Sequence, residues 1–267
     1  MVSPAPPSPN PSGTPPQSTA SLVAIAVGNT RARWGSFVGR ELTPGNSDVI
    51  ASAAEAIASL IEQSAPDAVV VASVNNPGAD RLERELSRTG VPILRVGRDC
   101  VPPLTHTLED ASTLGFDRAC NAIAAHSLVE SAVAVIDAGS AITVDFVDGE
   151  GTFHGGGIAP GLNMMLKALH EQTAALPLLT FDPAETGIFG RDTAHAMQLG
   201  VAAAARGLVR EMVEHFAEHY EAYPRVIATG GDAAALFEAD GLVERIIPDL
   251  QLIGIQRTFE HAANEDG

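Results

Sequence analysis

Residues Ala132 to Leu162 read A-V-A-V-I-D-A-G-S-A-I-T-V-D-F-V-D-G-E-G-T-F-H-G-G-G-I-A-P-G-L. An apolar run, Val133 to Ile136, delivers Asp137 into a Gly139-Ser140 pair. β-forming residues from Ala141 to Val147 then lead to an Asp148-Gly149 turn signal. The stretch reads as a strand, a tight acidic-glycine bend and a returning strand. Gly139 lets backbone amides approach a bound oxyanion, Ser140 adds a hydroxyl donor, and Asp137 can hold a cation beside a phosphate. Phosphate chemistry is the reading these residues favour. The competing one is a glycine-bearing hairpin of an ordinary sheet.

The same figure occurs earlier in the chain. Leu22 to Val27 is an apolar strand that ends at Gly28-Asn29-Thr30 and returns through Arg31-Ala32-Arg33-Trp34-Gly35. Gly28 matches Gly139, and Ala26 matches Asp137, at a common offset of 111 residues. A second echo pairs Ala68–Ser73 with Arg225–Gly231, both apolar strands ending in small residues, so the chain reads as duplicated. Between the strands, helical spacing of apolar residues predicts helices over Asp48–Gln63, Asp117–Leu128, Leu162–Leu176 and Thr193–Tyr220. Strands alternating with helices mean an α/β layering. The expected organisation is a disordered tail over residues 1–20, which hold seven of the eighteen prolines, then domains over 21–127 and 128–267. The two hairpins would face a shared cleft.

Composition narrows the function. A net charge of −17 argues against a nucleic-acid footprint, which needs clustered Lys and Arg. Two cysteines, Cys100 and Cys120, offer neither a disulfide framework nor a structural zinc set, which fits a reducing cytoplasm. No secretory signal and no apolar run long enough for a membrane span is expected. A P-loop and a G-x-G-x-x-G dinucleotide turn are absent, and Ser140 does not sit in a G-x-S-x-G elbow. His215-Phe-Ala-Glu218-His219 has the spacing of some zinc proteases, but it lies on a strongly charged amphipathic helix and reads as a solvated face.

Gly115-Phe116-Asp117-Arg118 opens a predicted helix that carries Asn121 and the small residues Ala119, Ala122, Ala124 and Ala125. Asp117 reads as a cap or first-turn acid that complements the helix dipole. It reads equally as a carboxylate that takes a proton from an attacking hydroxyl, with the Arg118 guanidinium holding an anionic group in fork geometry.

Together these residues resemble the type III pantothenate kinases. The resemblance rests on Gly28-Asn29-Thr30, on Gly115-x-Asp117-Arg118 with Asn121, and on Asp137-Ala-Gly-Ser-Ala-Ile-Thr-Val-Asp145. It continues through Gly155-Gly-Gly-Ile-Ala-Pro-Gly-Leu162, Thr173-Ala-Ala-Leu-Pro177, Gly190-x-x-Thr193 and Thr229-Gly-Gly231, and so covers residues 22 to 256 in order. It implies duplicated ribonuclease-H-like domains of the actin-like ATPase and sugar kinase superfamily, with ATP in the cleft between them. The implied reaction phosphorylates the primary hydroxyl of pantothenate, the first step toward coenzyme A. By motif, Ala26, Val27, Gly28, Asn29, Thr30, Arg31, Ala32 and Arg33 form the first phosphate hairpin, and Ser140 contacts ATP. Asp137 holds a monovalent cation, potassium or ammonium, and magnesium accompanies ATP. Gly115, Phe116, Asp117, Arg118 and Thr193 bind pantothenate, with Asp117 as proton acceptor. A homodimer whose acceptor site borders the partner chain is implied as well.

The sequence departs from the family pattern at three positions. Ala26 stands where an aspartate usually serves the magnesium–phosphate end of the site, Ser140 where threonine is usual, and Leu108 where a substrate-contacting tyrosine is common. Position 140 keeps its hydroxyl. At position 26, a neighbouring acid such as Asp137 or Asp145 is the candidate replacement. Two other readings stand beside the active kinase: a nucleotide-binding or regulatory homologue with weak or lost activity because of Ala26, and a kinase for another small hydroxyl acceptor.

Overall fold

The computed structural model describes residues 20–265. Apart from Ala20, the Pro-rich stretch read as a tail lies outside the described residues. Two largely apolar strands set the centre of the first sheet. In β1 (Ser21–Val27) and β4 (Ala68–Ser73) nearly every residue is buried, as expected of strands covered on both faces. They pair in parallel, with Ala26 beside Ala72. On the other side of β1 run β2 (Arg31–Val38) and β3 (Glu41–Val49), both antiparallel, and β5 (Ile93–Arg95) closes the far edge beside β4.

The second sheet repeats this plan strand for strand. β6 (Val133–Ala138) pairs antiparallel with β7 (Ala141–Val147), β7 with β8 (Phe153–Pro160), and β6 runs parallel to β9 (Arg225–Thr229), followed by β10 (Arg245–Ile246). The orders β3-β2-β1-β4-β5 and β8-β7-β6-β9-β10 are the same arrangement twice. The duplication read from the hairpins is therefore a duplication of whole sheets.

Helices α1 (Ile50–Ser64) and α2 (Asn76–Leu86) cover one face of the first sheet through Ala53, Ile57, Ile61, Ala79 and Leu82. The second sheet carries α4 (Leu162–Glu171), α5 (Thr193–Tyr220) and α6 (Ala233–Phe237) on its corresponding outer face. The remaining faces look toward one shared layer made of α3 (Phe116–Val129) and α7 (Leu250–Glu265). Cys120, Leu252 and Ile255 from these helices pack on Ala24, Ala26 and Val70 of the first sheet, whereas Ala122, Ala125 and Leu250 pack on Val133, Val135 and Ile227 of the second. The alanines of α3 allow this close double contact. Gly254 of α7 lies so near α3 that a Cβ there would sit 2.0 Å from the carbonyl oxygen of Cys120.

Several boundaries differ from the periodicity reading. The first helix begins at Ile50 rather than Asp48, because β3 pairs with β2 as far as Val49. The helix predicted to reach Leu176 ends at Glu171; the Thr173 hydroxyl donates to the carbonyl of Leu169 at 2.8 Å, and Leu176 packs on the core from the loop beyond. α5 spans the predicted Thr193–Tyr220, started by the Asp192 carboxylate, which accepts from the His195 amide at 2.8 Å. On this helix His215 is exposed and pairs with Glu211 at 3.1 Å. No helix of the described residues is long and apolar enough to cross a membrane.

Candidate active site

Strand pairing fixes which side chains share a face. Thr143 of β7, Asp137 of β6 and Thr229 of β9 stand side by side on the face of the second sheet that meets α3. Asp145 stands one pair further along the same face, between Val135 and Gly156. In the first sheet the matching position to Asp137 is Ala26, which is 4% exposed and packed in the apolar cluster with Cys120 and Ala72.

Asp137 is the centre of the arrangement. Asn121, one turn into α3, donates from Nδ2 to Asp137 Oδ2 at 3.0 Å. The other carboxylate oxygen faces glycines: a Cβ at Gly139 would lie 3.5 Å from Asp137 Oδ1, and one at Gly230 would lie 2.6 Å from it. Gly230 adopts φ +94°, a conformation that itself favours glycine. Burial, with the negative charges of Asp117 and Asp145 added, pushes the Asp137 carboxyl up to about 6, against a partial offset from the Asn121 hydrogen bond. Asn121 Oδ1 is buried and has no hydrogen-bond partner among the described residues. A carboxylate held against its own desolvation, an orphaned amide oxygen nearby and room left by two glycines together fit a cation.

Asp117 occupies the first turn of α3, where the helix dipole favours a carboxylate. Its Oδ1 accepts the amide of Arg118 at 2.8 Å, and a Cβ on Gly115 would lie 2.4 Å from the same oxygen. Gly115 thus gives Asp117 its space, beside Val74, the residue that follows β4. Arg118 turns to the second sheet. Its Nε contacts both oxygens of Asp145 at 3.0–3.1 Å, and Nη2 makes a further short contact to Oδ1. This carboxylate holds the guanidinium firmly in its charged form. Asp145 is therefore engaged by Arg118, whereas Asp137 and Asp117 make no ion pair among the described residues.

The remaining sequence-predicted residues divide by side-chain direction. Gly28 donates its amide to Arg31 O at 2.9 Å to close the first hairpin, whose tip, Asn29 to Arg31, is exposed. The side chains of Val27 and Ala32 point into the core under α1 and α2. Arg31 donates to Ser47 O at 2.7 Å, and Arg33 pairs with Asp249, ahead of α7, at 2.6 Å. Phe116 packs its ring against Gly97 in the first-sheet cluster. Ser140 is exposed, and its carbonyl accepts from Gly161 at 3.1 Å. Thr193, also exposed, opens α5 and makes no hydrogen bond to the Asp117–Asp137 group. The residues that sequence reasoning underrated are Asn121 and Asp145. The available signal for Asp145 was its lone charge among β7 residues that are otherwise apolar or hydroxyl-bearing.

Comparison with known proteins places the chain among relatives. The family model described as type III pantothenate kinase matches residues 22–215. A type III pantothenate kinase of Dehalococcoides mccartyi is 31% identical over 257 residues, covering 91% of this chain and 96% of that protein. The Caulobacter vibrioides protein of the same description is 38% identical over 197 residues, covering 72% and 75%. The chain spans little more than half the length of two others: 57% of the Rhodospirillum rubrum relative, at 41% identity over 55% of this chain, and 55% of the Gluconobacter oxydans relative. Among solved structures, an activator of 2-hydroxyisocaproyl-CoA dehydratase from Clostridium difficile, with bound ADPNP, superposes with a TM-score of 0.52 at 12% identity, over 92% of this chain and 97% of that one. A candidate N-acetylmannosamine kinase from Listeria monocytogenes gives 0.51 at 16% identity, over 92% and 100%. Their likeness is one of fold, that of the actin-like ATPases and sugar kinases. The chain belongs to the type III pantothenate kinase family.

Proposed function

We propose that this protein transfers the γ-phosphoryl group of ATP to the primary hydroxyl of pantothenate, giving 4'-phosphopantothenate and ADP. The observation that carries the reading is Asp117. It is a first-turn carboxylate in the layer between two duplicated sheets, set beside Asp137 and next to an arginine fixed in the charged state. One oxygen of Asp117 is occupied by the Arg118 amide, and the other is left to accept the proton of the attacking hydroxyl. Gly115, Phe116, Arg118 and Thr193 frame the acceptor, Phe116 through its backbone. The hairpin from Ala26 to Arg33 and the loop at Ser140 cradle the phosphates of ATP with backbone amides and a hydroxyl. Asp137, with Asn121 beside it, is the place for potassium or ammonium. Magnesium accompanies ATP and neutralises charge between its terminal phosphates.

The two functional units we assign are residues 21–127 and 128–267, with α7 of the second lent to the first. A cytoplasmic homodimer is part of the same reading. Ile188 and Phe189, 88% and 79% exposed just before α5, support an association surface next to Thr193. Light scattering of the purified chain tests it; a monomer at all accessible concentrations would exclude the dimer.

The reaction is tested by a coupled assay of the full chain with ATP, magnesium, potassium and pantothenate, with the product identified by mass. Turnover supports the kinase. Nucleotide binding without turnover supports the regulatory homologue, and turnover only with another alcohol supports a different acceptor.

A further inference from the structure

Resting on that reading, we propose that Asp145 is a positioning residue for the acceptor: it clamps Nε and Nη2 of Arg118 so that the remaining Nη1 meets the carboxylate end of the substrate.

A carboxylate in the middle of a strand, with its side chain 3% exposed, is costly unless fully paired, and an apolar pair of similar volume commonly serves stability as well or better. Stability alone does not account for Asp145, so its value lies in what it does to its partner. It engages the guanidinium along one edge, through two nitrogens. Phe153 backs the group, its ring centroid 5.6 Å from Arg118 Cζ. These contacts fix a side chain that otherwise has several rotatable bonds, and they leave Nη1 without a hydrogen-bond partner among the described residues. The Arg118 side chain keeps 16% of its surface exposed. Directly opposite Asp145, β8 presents Gly156, where a Cβ would lie 1.8 Å from the carbonyl oxygen of Val144, so the two strands meet backbone to backbone and hold Asp145 in place. The result is a preset donor on a side chain that is still partly open, suited to one carboxylate oxygen.

The test compares two acceptors that differ only at that end: pantothenate, and panthenol, in which the carboxylate is replaced by a hydroxymethyl group. For the unaltered protein, calorimetric affinity and KM should favour pantothenate. In Asp145→Asn this preference should fall roughly 10- to 100-fold, with KM for ATP unchanged, as expected when a binding group is misplaced rather than the fold lost. If Asp145→Asn does not fold, Asp145→Glu keeps the buried charge while displacing the guanidinium, and the same loss of preference is expected. An unchanged preference in a folded variant, or equal loss of both acceptors and of ATP, overturns the inference while leaving the kinase standing. An unaltered protein that binds no pantothenate at all overturns both together.

Discussion

Asp117, in the first turn of α3, and Ala26, buried in β1, each make a prediction that a single substitution tests. Asp117→Asn removes the proton acceptor and keeps the shape of a side chain that accepts only one backbone amide. Its turnover is expected to fall by about 10²- to 10⁴-fold with ATP affinity retained. Parallel kinetic and ATP-binding measurements decide this, and a matched loss of ATP binding would make Asp117 a helix cap instead. Ala26 is buried beside Cys120 and Ala72 in an apolar cluster. Ala26→Asp is expected to lower the magnesium concentration needed for half-maximal activity. It should also lower the melting temperature of the metal-free protein, because an unpaired carboxylate there is desolvated. Identical magnesium titrations for the two proteins would show that position 26 does not serve the metal.

At the scale of elements, the contact between α3 and α7 governs the site, since Asp117, Arg118 and Asn121 all ride on α3. Gly254 lets the two helices meet backbone to backbone at Cys120. Gly254→Ala forces them apart and should cost about 1–3 kcal/mol, read as a lowered midpoint in urea. Because α3 moves with the contact, acceptor affinity should fall as well; a variant of normal stability and affinity would show that the crossing tolerates a methyl group. This crossing was not legible in the sequence, although much around it was. The strands β1, β4, β6, β7 and β9 and the long α5 announced themselves because burial on both faces or on one stripe imposes a period. α7 carries apolar residues that face two different sheets at once, so its pattern is diluted. β3 contains Pro44-Gly45-Asn46 and reads as a turn, yet as an edge strand with a register shift near Trp34 it tolerates them. Periodicity also reports which side chains are buried and never by whom. Arg118 was legible as an anion holder, while the anion it already holds, Asp145, lies 27 residues away across a sheet.

For the molecule as a whole, the shared α3–α7 layer ties together two sheets that would otherwise be separate cores. The clusters on either side of it draw on the same two helices. Unfolding is therefore expected to be a single cooperative event. The lone tryptophan, Trp34, is buried in the first sheet and reports on that half, whereas far-ultraviolet circular dichroism reports on both. Their denaturation curves should coincide; two resolved transitions would show that the halves unfold independently.

The placement of α7 also has a consequence for synthesis. Leu22, Phe37 and Val70 of the first sheet are covered by a helix that leaves the ribosome only after the second sheet has been made. The roughly 150 residues between Arg95 and Leu250 take on the order of 8–30 s to translate at 5–20 residues per second. Through that interval the nascent first half displays an apolar face that α3 of its own sequence shares with the absent α7, which makes it a natural client for chaperones until α7 arrives.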